Sequence, residues 1–182
     1  QEKIEIILTC DEQVLRPMIA GKPGSELIEI VHAPEQIAMD EHPVEAVRAK
    51  KNSSLVVAAR MVREKRAVGL VSAGNTGACM AASLLGIGRI KGIERPAITS
   101  LMPTIKGFCL VVDVGANVDC RPSQLLQFGM MASVYAERVL GISNPRVGLL
   151  NIGEEPTKGN EASVKTYELL QNSSLNFIGN IE

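Results

Sequence analysis

The chain has no tryptophan, and aromatic residues make up only 3% of its 182 positions. That excludes an aromatic-rich β-sandwich core. Any core must be built from Val, Ile, Leu, Ala and Met, a composition that suits buried parallel strands. Net charge is equally scarce, −1 at neutral pH. No global field therefore draws the protein to nucleic acid or to anionic lipid, and an acidic partner has to be met by a local patch. The four cysteines, Cys10, Cys79, Cys109 and Cys120, include no C-x-x-C pair. They read as reduced thiols of a cytosolic protein, and no zinc or other metal is expected. The two histidines, His32 and His42, lie far in sequence from the polar loops described below, so catalysis by a histidine triad is disfavoured. The opening QEKIEIILTC lacks the basic segment and long apolar core of a signal peptide. Ala78 to Ile87, the longest run of small and apolar residues, is too short to span a bilayer, and a soluble protein is expected.

What is present is a regular alternation of strand-like and helix-like runs, with 46% hydrophobic residues to build a core. Ile4 to Thr9 reads as a strand, Asp11 to Ala20 as a helix, and Leu27 to Val31 as a second strand. Pro43 opens a short helix, and Ser53 or Ser54 caps another that runs to about Arg66, with Leu55, Ala58, Ala59 and Val62 on one face. Val68 to Ser72 reads as a short buried strand leading into a helix through Ile87. Strands are then expected at Ile98 to Met102, Phe108 to Val114 and Val147 to Ile152, with a last one from Phe177. Helices are expected from Pro122 to Leu140 and from an Asn160 cap to about Leu170. This order predicts an α/β fold, a three-layer α/β/α sandwich with a mainly parallel sheet. We expect one α/β domain over residues 1–182, a segment of a longer protein, since the chain starts without Met and stops abruptly after Asn-Ile-Glu.

Three loops at expected strand ends carry the polar chemistry. The first is Val71-Ser72-Ala73-Gly74-Asn75-Thr76-Gly77-Ala78, a tight turn opening a helix. A helix N-terminus offers unpaired N–H groups and partial positive charge, which suits phosphate. Gly74 and Gly77 would let the backbone approach the anion, while Ser72, Asn75 and Thr76 would add donors. The alternative is a turn whose hydroxyls merely cap the helix. No P-loop lysine is present and the spacing does not match G-x-G-x-x-G. The second loop, Asp113 to Cys120, carries Asn117 as a donor to a carbonyl or phosphate oxygen, with Asp113 and Asp119 as orienters. Turn chemistry is the alternative for these residues, weighing more on Asp119 than on Asn117. The third, Asn151 to Glu161, offers Lys158 to an anionic substrate and adds Asn151, Gly153 and Asn160 to the candidate set. There Lys158 has the alternative of pairing with Glu154 or Glu155. Ligands of open α/β sheets sit outside the carboxyl ends of strands, so the three loops together predict binding of a small anion and a polar carbonyl compound.

These segments resemble the phosphate acyltransferase (PlsX) family of bacterial phospholipid synthesis. The resemblance rests on Lys50–Ser54, Ser72–Ala78, Gly88–Ala97, Asp113–Cys120, Gly148–Glu155, Lys158–Glu161 and Asn176–Glu182, and covers nearly everything from Val44 onward. The Asp-Ala-Met-Gly-Gly-Asp opening of family members and their continuation past this end are absent here. The resemblance implies a fold related to phosphotransacetylases and isopropylmalate-type dehydrogenases, a homodimer, and no cofactor. It also implies transfer of a fatty acyl group from acyl carrier protein to inorganic phosphate, releasing an acyl phosphate for glycerol-3-phosphate acylation. A cytoplasmic protein with peripheral membrane contact goes with that role.

On this expectation phosphate is itself the nucleophile, so neither a strong base nor a covalent cysteine is needed; proximity and preorganised donors suffice. Phosphate is assigned to the Ser72–Gly77 turn with help from Lys158, and the thioester carbonyl to Asn117 and Asn151. The basic cluster Arg60, Arg63, Lys65 and Arg66, with Lys50 and Lys51, is the expected dock for the acidic carrier. The Pro122–Leu140 helix is apolar on nearly every side, which suits burial within the domain or, as we favour, across a subunit interface. Two rival functions are an NAD-dependent decarboxylating dehydrogenase, disfavoured by the lack of a D-x-x-x-D aspartate pair, and a non-enzymatic phosphate- or carrier-binding regulator.

Overall fold

A computed structural model describes residues 4–182, which gather into two compact units, one ending at Arg89 and the other beginning at Ile90. In the first unit, β1 (Ile6–Cys10) lies parallel to β2 (Ile28–His32), with Ile6 opposite Ile28 and Cys10 opposite His32. The connection carries α1 (Glu12–Ile19), capped by Asp11, whose carboxylate accepts the Gln13 N–H at 2.9 Å. Three helices follow: α2 (Pro43–Ala49), α3 (Ser54–Arg63) and α4 (Thr76–Gly86). Pro43 occupies the first turn of α2, where a missing N–H costs nothing. Ser53 precedes α3, but its hydroxyl donates to the Lys50 carbonyl at 2.8 Å instead of capping the helix.

The buried positions of α3 differ from the single stripe read off the sequence. Val57, Ala59 and Met61 are the buried ones because the helix is covered on two sides. Val57 and Met61 join Ala33, with Ile7 and Val31 packed against them. Ala59 joins Val47, Ala78, Ala81 and Ala82. A helix sandwiched in this way needs no polar face opposite one apolar stripe. Small side chains set the spacing to α4: a Cβ added at Gly86 would stand 3.1 Å from the Ala59 Cβ.

The expected strand Val68–Ser72 does not form. The segment is irregular, and Val68 and Val71 are fully exposed, at 109% and 102%. A strand exists only through its ladder, and no described strand pairs with this one. Leu70 alone turns inward, against the α2–α4 cluster.

In the second unit β3 (Thr99–Thr104) and β4 (Gly107–Val112) form an antiparallel hairpin, with Thr104 opposite Gly107. Two residues, Ile105 and Lys106, are far too few for the crossover that parallel pairing requires. α5 (Pro122–Arg138) leads to β5 (Arg146–Leu150), and α6 (Glu161–Gln171) to β6 (Asn176–Ile181), which lies parallel to β5. Gln124 closes the start of α5 by accepting the Arg121 N–H at 2.9 Å. Gly129 brings α5 against its neighbours: a Cβ there would meet Leu170 at 3.3 Å and Leu175 at 3.4 Å. Tyr167 and Phe177 lock α6 to β6 edge-to-face, their ring centroids 5.1 Å apart. Helices and strands are interspersed along the chain, and among the described residues two of the three strand pairs are parallel, so the fold is α/β as the sequence predicts. No helix among the described residues is long and apolar enough to cross a membrane.

Candidate functional site

The Ser72–Gly77 turn does open a helix, and its residues divide into two roles. Asn75 is the N-cap of α4, accepting the Ala78 N–H at 2.9 Å. Its amide nitrogen faces the carbonyls of Ala38, Met39 and Glu41, each at 3.2 Å, and only 8% of the residue is exposed. Both ends of this side chain are occupied, so Asn75 builds the turn and offers no free donor to an anion. Gly77 is required for packing: a Cβ there would stand 2.7 Å from the Pro43 Cγ. Ser72 accepts the Gly74 N–H at 3.2 Å. What remains open to a ligand is Thr76, exposed in the first turn of α4, with its own N–H and that of Gly77 unbonded among the described residues.

The segment facing this turn carries its own charge pair. Lys50 donates to Glu41 at 2.6 Å and to the Gln36 carbonyl at 2.8 Å, and Glu41 accepts the Ala38 N–H at 2.6 Å. The hydrogen bond from Lys50, then that from Ala38, holds the Glu41 carboxyl below the ordinary glutamate range. Lys50 is thereby withdrawn from the basic cluster, and Arg66 likewise pairs with Glu29 at 2.9 Å. Arg60 and Arg63 stay exposed on the last turn of α3.

In the Asp113–Cys120 loop the structure brings Asp113 and Asn117 together. Asp113 accepts the Ile98 N–H with one oxygen and the Asn117 N–H with the other, both at 2.7 Å. The Asn117 amide donates to the Pro96 carbonyl at 3.0 Å and to Asp113 at 3.3 Å. Here the donors expected for a substrate carbonyl shape the loop. Asp119 is exposed. Burial first, then the negative charges of Asp113 and Asp119, push the Cys120 thiol up, with Arg95 opposing.

The loop between β5 and α6 is held in the same manner. Asn151 donates from its amide to the Lys158 carbonyl at 2.9 Å and accepts the Ile152 N–H at 2.9 Å. Asn160 caps α6, accepting the Ser163 N–H at 2.9 Å and its hydroxyl at 3.1 Å. Gly153 is buried, and a Cβ there would approach the Lys158 stem to 3.1 Å. Lys158 itself is half exposed, its ammonium 3.9 Å from Glu155, a contact too loose to fix it.

A family model described as fatty acid synthesis protein matches residues 1–182. The chain belongs to this family. It is 54% identical over 179 residues to a phosphate acyltransferase of Desulforamulus reducens, covering 98% of this chain and 54% of that one. It is 56% identical over 182 residues to a phosphate acyltransferase of Pelotomaculum thermopropionicum, covering 100% of this chain and 53% of the relative. The chain thus spans about half the length of the curated relatives it matches. Among solved structures, a branched-chain phosphotransacylase from Enterococcus faecalis V583 superposes with a TM-score of 0.53 at 14% identity, over 98% of this chain and 68% of that one. That likeness concerns the fold alone.

One residue of this fatty acid synthesis family chain escaped the reading of the sequence. Asn180, at the carboxyl end of β6, is 6% exposed and donates to the Glu155 carbonyl at 2.7 Å. Its signal was available: a lone amide inside the strand-like run Phe177 to Ile181, where the pattern calls for apolar residues.

Proposed function

We propose that the protein to which this chain belongs is a phosphate acyltransferase, converting an acyl-carrier-protein thioester and inorganic phosphate to an acyl phosphate and the free carrier thiol. The observation that carries the reading is identity above one half, over essentially the whole chain, to relatives bearing that name. The chemistry fits the available groups. An oxygen of hydrogen phosphate attacks the thioester carbonyl and the C–S bond breaks. The departing thiolate takes up the proton that phosphate gives up, leaving as the carrier thiol, with no cofactor entering the balance. Phosphate is assigned to the open start of α4, where Thr76 and the free N–H groups of Thr76 and Gly77 present donors and helix charge. Ser72 and Gly74 line the same turn.

Lys158 is the cation proposed to hold anionic charge at the β5–α6 loop, with Asn151, Gly153 and Asn160 setting its shape. In the Asp113–Cys120 loop the Asn117 amide is committed to Pro96 and Asp113 and shapes the loop, and the exposed carboxylate of Asp119 is proposed to orient groups beside the acyl donor. The acidic carrier docks on Arg60 and Arg63, and α5 with its C-cap exposes Met130, Val134, Tyr135 and Val139 for a second copy in a homodimer. The protein works in the cytoplasm, with peripheral contact to the membrane where the acyl phosphate is consumed.

The test is turnover by the full-length protein. Acyl-carrier thioester with phosphate should give acyl phosphate, trapped by hydroxylamine as a hydroxamate, with stoichiometric release of carrier thiol. NADH production, or binding of phosphate and carrier without release of thiol, would refute the reading.

A further inference from the structure

The geometry points to Asn180 as a positioning residue that, together with Asn151, clamps the backbone of Lys158 across the carboxyl ends of two parallel strands. Asn151 follows β5 directly, and its N–H donates to the Ile181 carbonyl of β6 at 2.9 Å, so the two strand ends are joined where the loop begins. The Lys158 carbonyl accepts from the Asn151 amide at 2.9 Å. The Lys158 N–H donates to the Glu155 carbonyl at 3.0 Å, and that same carbonyl accepts the Asn180 amide at 2.7 Å. Lys158 is therefore held at both its carbonyl and its N–H, once by each asparagine, the second time through Glu155. Buried Gly153 lets the lysine stem lie against the loop, so fixing the backbone also fixes where the ammonium can reach.

The orientation of the Asn180 amide follows from its partner. Turned over, it would set its oxygen against the Glu155 carbonyl, acceptor against acceptor. With the nitrogen so committed, the buried amide oxygen accepts no hydrogen bond among the described residues. Burying an acceptor in that condition costs stability, and an aliphatic side chain would fill the space without the cost. The single gain from asparagine here is the grip on Glu155, and departures of this kind gather at functional loops. Gly159 adds to the same construction. It adopts φ +90°, and a Cβ there would stand 2.5 Å from the Asn151 oxygen, so the second asparagine fits only beside glycine.

The inference rests on the reading of Lys158 as the cation that meets the anionic substrate, and the experiment separates the two. In the full-length protein, Asn180→Leu and Asn180→Asp are compared with wild type for hydrogen exchange at the Lys158 amide and for phosphate KM and kcat. Asn180→Leu should speed exchange of that amide and raise the phosphate KM by about tenfold, the loss of one good hydrogen bond, with kcat within about twofold. Asn180→Asp should be impaired near about pH 8, where a carboxylate faces the Glu155 carbonyl. It should recover as pH falls and the protonated carboxyl, its pKa raised by burial, donates again. Wild type should show no such recovery. A protected Lys158 amide with an unchanged KM in Asn180→Leu overturns the clamp. So does an Asn180→Asp pH profile parallel to wild type, which decides the matter if the leucine variant does not fold. If Lys158→Met leaves the phosphate KM unchanged while Asn180→Leu still frees the amide, the clamp stands and the role given to Lys158 falls.

Discussion

Replacing Asn75 with Ala should unsettle the first unit before it touches chemistry. The side chain does two jobs, and alanine ends both. Loss of an N-cap of this type costs about 1 kcal/mol. The amide nitrogen also spans three carbonyls, those of Ala38, Met39 and Glu41, from a position only 8% exposed. Ala38 and Met39 are exposed, so water can satisfy part of what the amide leaves, and this half adds about 1–2 kcal/mol instead of the full cost of orphaned buried groups. The sum, about 2–3 kcal/mol, corresponds to a fall in melting temperature of roughly 4–12 °C for a chain of this size.

Thermal unfolding followed by circular dichroism reads the total. Two companions divide it. Asn75→Ser keeps a cap but cannot reach the carbonyls, so it should recover about 1 kcal/mol. Asn75→Asp keeps the cap while setting a carboxylate against the carbonyls, so it should recover no more than serine despite the favourable charge at a helix N-terminus. Asn75→Ala within about 0.5 kcal/mol of wild type, the range of an ordinary surface change, would refute this account of the turn.

Thr76→Val, at an exposed first-turn position, should leave the melting temperature nearly unchanged while raising the phosphate KM about tenfold, the worth of one hydrogen bond to a charged oxygen; an unchanged KM would move phosphate elsewhere. Cys120→Ser should keep most activity, and Cys120 should alkylate more slowly than a free thiol because burial and two nearby carboxylates disfavour its thiolate; a trapped acyl-cysteine would contradict direct attack by phosphate. Reversing Arg60 and Arg63 to Glu should raise KM for the carrier thioester and flatten its salt dependence, with little effect on a small thioester lacking the carrier; equal loss with both substrates would place the dock elsewhere. Because the folded pKa of Glu41 lies below its unfolded value, its pair with Lys50 stabilises above the ordinary glutamate range and is lost as pH falls through the folded pKa. A Glu41→Gln variant should lack that acid-side loss, which parallel unfolding curves across the acid range would disprove.

How far the sequence could be read follows from which forces act locally. The α/β order was legible because each element announces itself within a few residues. Asp11 and Asn160 stand at helix starts and Pro43 and Pro122 open helices, whereas the antiparallel pairing that a two-residue link imposes on β3 and β4 was not read. Val68–Ser72 was misread for the opposite reason. Its hydrophobicity states a preference for burial, but a ladder needs a neighbour, which no run of five residues encodes. Of the apolar positions of α3, Ala59 and Leu55 pack inward as read, while Val57 and Met61 were missed because a second cluster covers the helix, a fact of packing and not of periodicity.

The candidate loops carry the same lesson into chemistry. Polar residues marked three loops that the structure shows to be held by their own hydrogen bonds, for Asn75, Asp113, Asn117, Asn151 and Asn160 all direct their side chains into backbone groups of their own neighbourhoods. Asparagine and aspartate are chosen at such turns because they imitate the peptide group, so their presence signals a shaped loop before it signals a ligand. The groups those amides leave open, and to which we assign the substrate, are the N–H groups at the start of α4 and the ammonium of Lys158. Shape and the proposed chemistry are thus divided between residue types, the amides fixing the loops while the backbone and lysine stay open. A sequence motif rich in both cannot say which is which until each side chain's partner is known.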